Sequence, residues 1–226
     1  MKIAVIIRNF KRSAGGAERY CVELTERLAL NHEVHVFSQN YEINQAISQF
    51  HKIPKYFEKP RFINQLIFSW LTRKETLGNF DIVHSHEMIS HANIYTIHVP
   101  CFRSILLNLS GVTKVLNYFY TLLSPRKLGY LWLENQQMCQ KSCKHYIVVS
   151  ELLQRNLNEC YPLVKNISIA YPAINNQVLK SDFSQVNKAL DLREKFAIPN
   201  SAFIMLLVAN NFKKKGCQLY LSRSIY

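Results

Sequence analysis

The sequence predicts an α/β fold, a doubly wound Rossmann-like parallel sheet followed by an incomplete second domain, and three observations lead to it. Short apolar runs rich in β-branched residues, beginning with Ile3 to Ile7, alternate with longer amphipathic stretches. Strands covered on both faces of a parallel sheet read this way. The first run is followed by the small-residue loop Ser13-Ala14-Gly15-Gly16, and then by Ala17, Tyr20, Cys21, Leu24, Leu28 and Ala29 at helical spacing. Near the other end, Ala202 to Ala209 reads as a new buried strand, and only ten residues follow Gly216. A strand with so short a stub behind it builds no core.

The elements follow in order. After the first helix, Asn31-His32-Glu33 makes a break and Val34 to Phe37 a second strand, giving a β-α-β unit suited to a right-handed crossover. Ser38 to Lys59 is polar, with a short strand at Phe50 to Ile53 closed by Pro54. Pro60 to Leu77 carries Phe62, Ile63, Leu66, Ile67, Trp70 and Leu71 at helical spacing, and proline suits a first helical turn. Core strands are expected at Ile82 to His84 and at Ile94 to Ile97. Phe102 to Gln140 reads as helical, with breaks near Gly111, Ser124-Pro125 and Gly129. His145 to Val149 is the next strand, Ser150 caps a helix through Glu159, and Ile167 to Ala170 is the last strand before Tyr171-Pro172. Asn175 to Ser184 reads as a loop, and Leu190 to Phe196 as a short basic helix.

Bulk properties narrow the classes. The 226 residues are 48% hydrophobic with few glycines and prolines, a globular composition. No apolar run approaches the roughly 18 residues of a membrane span, and Arg8 interrupts the first one before a secretory signal is complete. A cytoplasmic location is expected. The formal charge of +13 favours anionic partners. The cations are dispersed, in pairs or triplets such as Lys213-Lys214-Lys215, and no nucleic-acid module appears, so no nucleic-acid partner is expected. Six scattered cysteines are expected to be reduced and to serve packing, including Cys139 and Cys143.

The loop at Gly15-Gly16 permits positive φ and close approach of a ligand, and the helix behind it offers free N–H groups and a positive dipole end, suited to phosphate. The same two glycines also suit an ordinary tight turn. His98 ends a strand, where such folds place ligands. His84 and His86 form an H-x-H pair whose spacing on an extended strand suits a metal.

Seven segments in this order resemble the amino-terminal half of a family 4 glycosyltransferase of the GT-B architecture. They are Gly15-Gly16-Ala17-Glu18, Asp81-Ile82-Val83-His84-Ser85-His86-Glu87, Ile97-His98-Val99-Pro100, Val148-Val149-Ser150, Tyr171-Pro172, Leu192-Arg193-Glu194-Lys195-Phe196 with Ile198-Pro199, and Asn210 to Gly216. The match is most similar to enzymes that add sugars to the lipopolysaccharide core. The resemblance implies an amino-terminal, acceptor-side domain over 1–172, a hinge over 173–200, and the start of a donor-binding domain over 201–226. It implies transfer of a sugar from a nucleotide-sugar donor to a glycan or glycolipid acceptor, with retained configuration. No metal or other cofactor is expected. His98 corresponds to a catalytic cleft histidine. Gly15, Gly16, Lys214 and Lys215 fall on donor- and phosphate-binding positions, and His86, Glu87 and Arg103 on the acceptor side.

Phe102 to Leu133, with Arg103, Lys114, Arg126 and Lys127 among apolar residues, lies where the family recognises acceptors and touches membranes, so peripheral contact with an anionic membrane surface at the inner face of the cytoplasmic membrane is expected. The family's paired-glutamate motif and late helix are absent, and the stretch 217–226 departs from the expected helix pattern. A reading frame disrupted after Gly216 would produce this, and little or no transferase activity is then expected of the chain. Two other classes stay open: a metal-dependent hydrolase using His84, His86 and His98, and a non-catalytic module that binds a membrane or a partner.

Overall fold

The computed structural model describes residues 1–43, 45, 47, 49–107, 111–139, 145–173, 193–199 and 201–204. The chain divides into two compact units, Met1–Pro172 and Ala173–Tyr226. In the first, β1 (Lys2–Ile6) and the two-residue β2 (Asn9–Phe10) precede α1 (Gly16–Ala29), followed by β3 (Glu33–Ser38), β4 (Asn40–Tyr41) and β5 (Gln49–Lys52). Next come α2 (Arg61–Thr76), β6 (Ile82–Ser85), β7 (Ile94–Ile97), α3 (Ser104–Leu107), α4 (Gly111–Leu122) and α5 (Pro125–Met138). β8 (His145–Val148), α6 (Glu151–Cys160) and β9 (Ile167–Ile169) complete the unit.

Seven strands pair in the order β5-β3-β1-β6-β7-β8-β9, every pairing parallel. The sheet therefore grows outward in both directions from β1, and the order reverses between β1 and β6. That is the topological switch point, where a doubly wound sheet opens a crevice at its carboxyl edge. Side chains of β1 alternate between the two cores. Ile3, Val5 and Ile7 pack with Cys21, Val22, Val34 and Val36 on one face. Ala4 and Ile6 pack with Phe37, Phe68, Tyr95 and Val148 on the other. Burial on both faces is why the run reads as continuously apolar.

Polar side chains fix the strand entries. Asp81 Oδ2 accepts from Lys2 N at 2.7 Å, and Asn93 Oδ1 accepts from Val83 N at 2.8 Å. Helix α2 ends where Gly78 takes φ 76°, a left-handed conformation that glycine adopts without strain. Ser150 Oγ caps α6 by accepting from Leu153 N.

Three expectations are corrected, and one strand pairing is new. Gly129 does not break the helix: α5 runs through it, and a Cβ there would lie 2.9 Å from the Phe62 ring of α2. The glycine is a contact point between two helices. Beyond the ends of β1 and β3, the chain forms the unforeseen parallel pair β2–β4. Cys139 is exposed rather than a packing residue, while Cys143 lies outside the described residues. In the second unit, residues 193–195 take helical backbone and Arg193 donates to the carbonyls of Pro199 and Ala202. Of the buried strand expected over Ala202 to Ala209, the described residues 202–204 are not strand and Phe203 and Ile204 are exposed, which corrects that reading for them. The remainder lies outside the described residues, as do Lys214 and Lys215.

Candidate functional site

A cleft of about 290 Å3 opens at the carboxyl ends of β1, β6 and β7, lined among others by Arg8, Glu18, His86, Glu87, His98 and Glu134. The backbone carries these groups past the strand ends. His86 N donates to Ile6 O at 3.0 Å, which continues the β1–β6 ladder one residue beyond β6. Glu87 is held by a reciprocal turn in which its N–H donates to Ser85 Oγ and Ser85 Oγ donates to its carbonyl. From there its carboxylate reaches Arg8. It accepts from Arg8 N at 3.2 Å, and Arg8 Nε lies 3.0 Å away, close enough for an ion pair but not aligned as a hydrogen bond.

Three histidines stack behind this pair. The rings of His84 and His86 lie 4.6 Å apart between centroids, and those of His86 and His98 5.4 Å apart, with Tyr20 of α1 edge-on to His98 at 5.3 Å. His84 Nε2 shares a 2.8 Å hydrogen bond with Thr96 Oγ1, and His86 Nδ1 a 3.0 Å bond with His98 Nε2. Burial disfavours the charged ring in each case. It holds His84 down at about 4, helped by the nearby His98, and His98 at about 4. Burial, with the two neighbouring rings, holds His86 well below the usual histidine range. All three are neutral at neutral pH.

The hydrogen-bond pattern assigns the tautomers. His86 Nε2 is buried without a partner. If His98 donated to His86 Nδ1, that buried nitrogen would carry an orphaned N–H, which folded proteins tolerate less than an orphaned acceptor. His86 Nδ1–H therefore donates to His98 Nε2, and His98 carries its own proton on Nδ1.

The loop after His98 is pinned from two helices. Glu134 of α5, 1% exposed, accepts from Phe102 N, from Arg103 N at 3.0 Å and from the Tyr161 hydroxyl at 2.9 Å. Asn156 of α6 accepts from Cys101 N at 2.8 Å. Burial raises the Glu134 carboxyl, and these donors oppose the rise.

Of the residues expected from sequence, the cleft brings together His86, Glu87 and His98. Arg103 is not among its lining residues: it is exposed, with its guanidinium 5.2 Å over the Tyr161 ring. Neither Gly15 nor Gly16 uses a left-handed backbone, since Gly15 is extended at φ 170°. A Cβ on Gly15 would lie 2.6 Å from Glu18 Oε2, so the Glu18 carboxylate covers this glycine. A Cβ on Gly16 would meet nothing within 4 Å. The groups missed from sequence are Arg8, Thr96 and Glu134. Arg8 had a signal, being the first charge after β1 at the sheet's carboxyl edge. The H-x-H rings are engaged with Thr96 and with each other. Among the described residues, no group of three or more His, Cys, Asp or Glu side chains is arranged to hold a metal ion.

A family model described as Glycosyltransferase Family 4 matches residues 14–178. No curated protein matches the sequence significantly. Among solved structures, the crystal structure of WaaG, a glycosyltransferase involved in lipopolysaccharide biosynthesis, matches with TM-score 0.75 and 18% identity over 97% of this chain and 58% of that one. Sucrose-phosphate synthase from Thermosynechococcus elongatus matches with TM-score 0.67 and 15% identity over 99% of this chain and 59% of that one. At these identities the likeness establishes the fold, the GT-B type. The chain spans less than two thirds of either structure's length.

Proposed function

The chain belongs to glycosyltransferase family 4, and from that premise we propose that it forms the acceptor-side half of a retaining glycosyltransferase. The reaction moves a sugar from a nucleotide-sugar donor to a hydroxyl of a lipopolysaccharide or related glycan acceptor. The supporting observation is His98, a neutral ring at the end of β7, oriented by His86 and lining the cleft. A neutral imidazole exchanges hydrogen bonds with sugar hydroxyls at neutral pH. His86 and Glu87 act on the acceptor side, His86 by fixing the His98 ring and Glu87 by holding Arg8. Arg103 meets the acceptor outside the cleft.

The departing nucleoside diphosphate gathers negative charge, so cations and N–H donors aimed at it lower the barrier most. Gly15 and Gly16 at the start of α1 serve that role from this domain, and Lys214 and Lys215 from the donor side. No resident metal or cofactor enters the scheme. A chain spanning 58% of the WaaG length is proposed to turn over little or no donor by itself.

The test pairs two measurements on the 226-residue chain. A core oligosaccharide is expected to bind and to shift the His98 resonances, and His98→Ala to abolish binding. Incubation with radiolabelled nucleotide sugar and that acceptor is expected to give background transfer. Oligosaccharide binding that is indifferent to His98→Ala overturns the acceptor-side role, and measurable turnover overturns the half-site proposal.

A peripheral membrane contact is proposed alongside it, at the inner face of the cytoplasmic membrane. Among the described residues, no helix is long and apolar enough to cross a membrane. Yet Val112 is 74% exposed, Phe119 60% and Leu123 81%, beside the exposed Arg126. Such a surface suits shallow insertion beside anionic headgroups. Cosedimentation with anionic but not neutral vesicles, lost in Phe119→Asp, is expected; equal binding by Phe119→Asp refutes it.

A further inference from the structure

We propose that a second concave site, at the carboxyl ends of β1 and β3, binds an anionic group, phosphate or carboxylate, carried on a sugar. The sugar rests on the acceptor-side reading above, while recognition of the anion stands on this site's own residues. The site encloses about 310 Å3 and shares Arg8 with the histidine cleft. Its floor is a pair of buried amides, Gln39 and Asn64, each 5% exposed. They bond to each other twice at 3.0 Å, and Gln39 Nε2 also donates to Pro54 O. Asn40 Nδ2 donates to Asn9 Oδ1 at 3.0 Å across the β2–β4 pair.

The charges above this floor are unbalanced. Of the three cations on this site, Arg8 is held by Glu87 of the histidine cleft and Lys55 faces Glu58, which leaves the Arg61 charge in excess. Lys55 pairs with Glu58 at 3.0 Å, but the Glu58 side chain is 87% exposed, and ion pairs in that setting are weak and easily exchanged. Arg61 has no ion pair among the described residues, and it opens the sixteen-residue α2, whose positive dipole end points the same way as its charge. Guanidinium groups suit phosphate and carboxylate oxygens through paired N–H donors.

Among the described residues, no aromatic or aliphatic side chain lines the site, so it offers no surface on which to stack a nucleobase or bury a lipid tail. The shared Arg8 makes the two clefts neighbours. A sugar ring in the histidine cleft then directs an anionic substituent over Arg8 toward Lys55 and Arg61.

The full chain is titrated with glucose 6-phosphate, glucuronate, inorganic phosphate and glucose, and the side-chain amide signals of Gln39 and Asn64 are followed by NMR. Lys55→Gln and Arg61→Gln, both on the exposed rim, are titrated in parallel. At least one anionic sugar is expected to shift both signals and to bind more tightly than inorganic phosphate, and glucose to leave them unmoved. Arg61→Gln is expected to weaken binding about tenfold, and Lys55→Gln in the same direction. Equal binding of inorganic phosphate overturns the sugar assignment. Binding of glucose, an affinity unchanged in Arg61→Gln, or no shift with any anion overturns the site. No donor or turnover is involved, so this failure leaves the transferase reading intact, and failure of that reading leaves anion binding intact.

Discussion

Replacing His84 by glutamine while following stability against pH isolates the contribution of one buried ring. His84 lies in β6 opposite Val5, is 5% exposed, and is held down at about 4 by burial and by His98. In the unfolded chain it titrates near 6.5. The folded state therefore binds its proton later than the unfolded state does. Its contribution is fully present above pH 6.5 and is lost as the pH falls toward 4. Over that interval, about 1.36 kcal/mol per pH unit gives about 3 kcal/mol, a large share of a typical domain's stability. Glutamine retains a hydrogen bond to Thr96 and does not titrate.

The assay is urea unfolding at steps between about pH 7.5 and about pH 4.5, read by tryptophan fluorescence. Trp70 and Trp132 both lie in the Met1–Pro172 unit, so the signal reports that unit. His84→Gln is expected to be the less stable protein at neutral pH, because it loses the ring stack. The difference is expected to close by about 2.5 kcal/mol by the acid end of that range. Burial also lowers His86, His91 and His98, so both proteins weaken in acid, and their difference is His84's own titration together with its effect on the neighbouring His86. Parallel stability curves would falsify the reasoning.

Glu134→Ala leaves Phe102 N, Arg103 N and the Tyr161 hydroxyl without their acceptor, and a loss of about 3 kcal/mol or more is expected by the same unfolding assay. Gly129→Ala gains about 1 kcal/mol of helix propensity but drives a methyl into the Phe62 ring, an overpacking of about 1–3 kcal/mol. A net loss is expected, relieved when Phe62→Leu is added; a gain in melting temperature from Gly129→Ala alone would count against the contact. Zinc measured in the purified chain is expected well below one per molecule, with no change in melting on adding chelator. Stoichiometric zinc would revive the hydrolase alternative built on His84, His86 and His98.

The sheet was legible because parallel strands covered on both sides leave continuous apolar runs, as Ile3 to Ile7 and Val34 to Phe37 do. His86, Glu87 and His98 were legible because they follow such runs, and chain order places the ends of those strands together. The β2–β4 pair was not, since two polar-containing residues per strand carry no periodicity. Gly129 was misread because local propensity argues for a break, whereas a helix crossing needs a residue without a Cβ. Glu134 gave no sign either. Its position on α5 was readable, but its acceptors' task depends on a loop more than thirty residues earlier in the chain.

The two glycines at the start of α1 show how a sequence motif and its surroundings divide the work. A helix start carries roughly half a positive charge, and on that ground the sequence suggests a phosphate cradle at Gly15-Gly16. In the folded domain a full negative charge, the Glu18 carboxylate, lies against Gly15, and the absent Cβ is what admits it. The first turn is thus already supplied with an anion from its own third residue, and only Gly16 remains open. In the proposed reaction a diphosphate reaching this end meets Glu18 first. The anion binds here only by displacing that carboxylate or with cations brought from elsewhere, which is the task proposed for Lys214 and Lys215. Gly15-Gly16 alone therefore makes a weak site for phosphate, because the first turn of α1 already holds the Glu18 carboxylate.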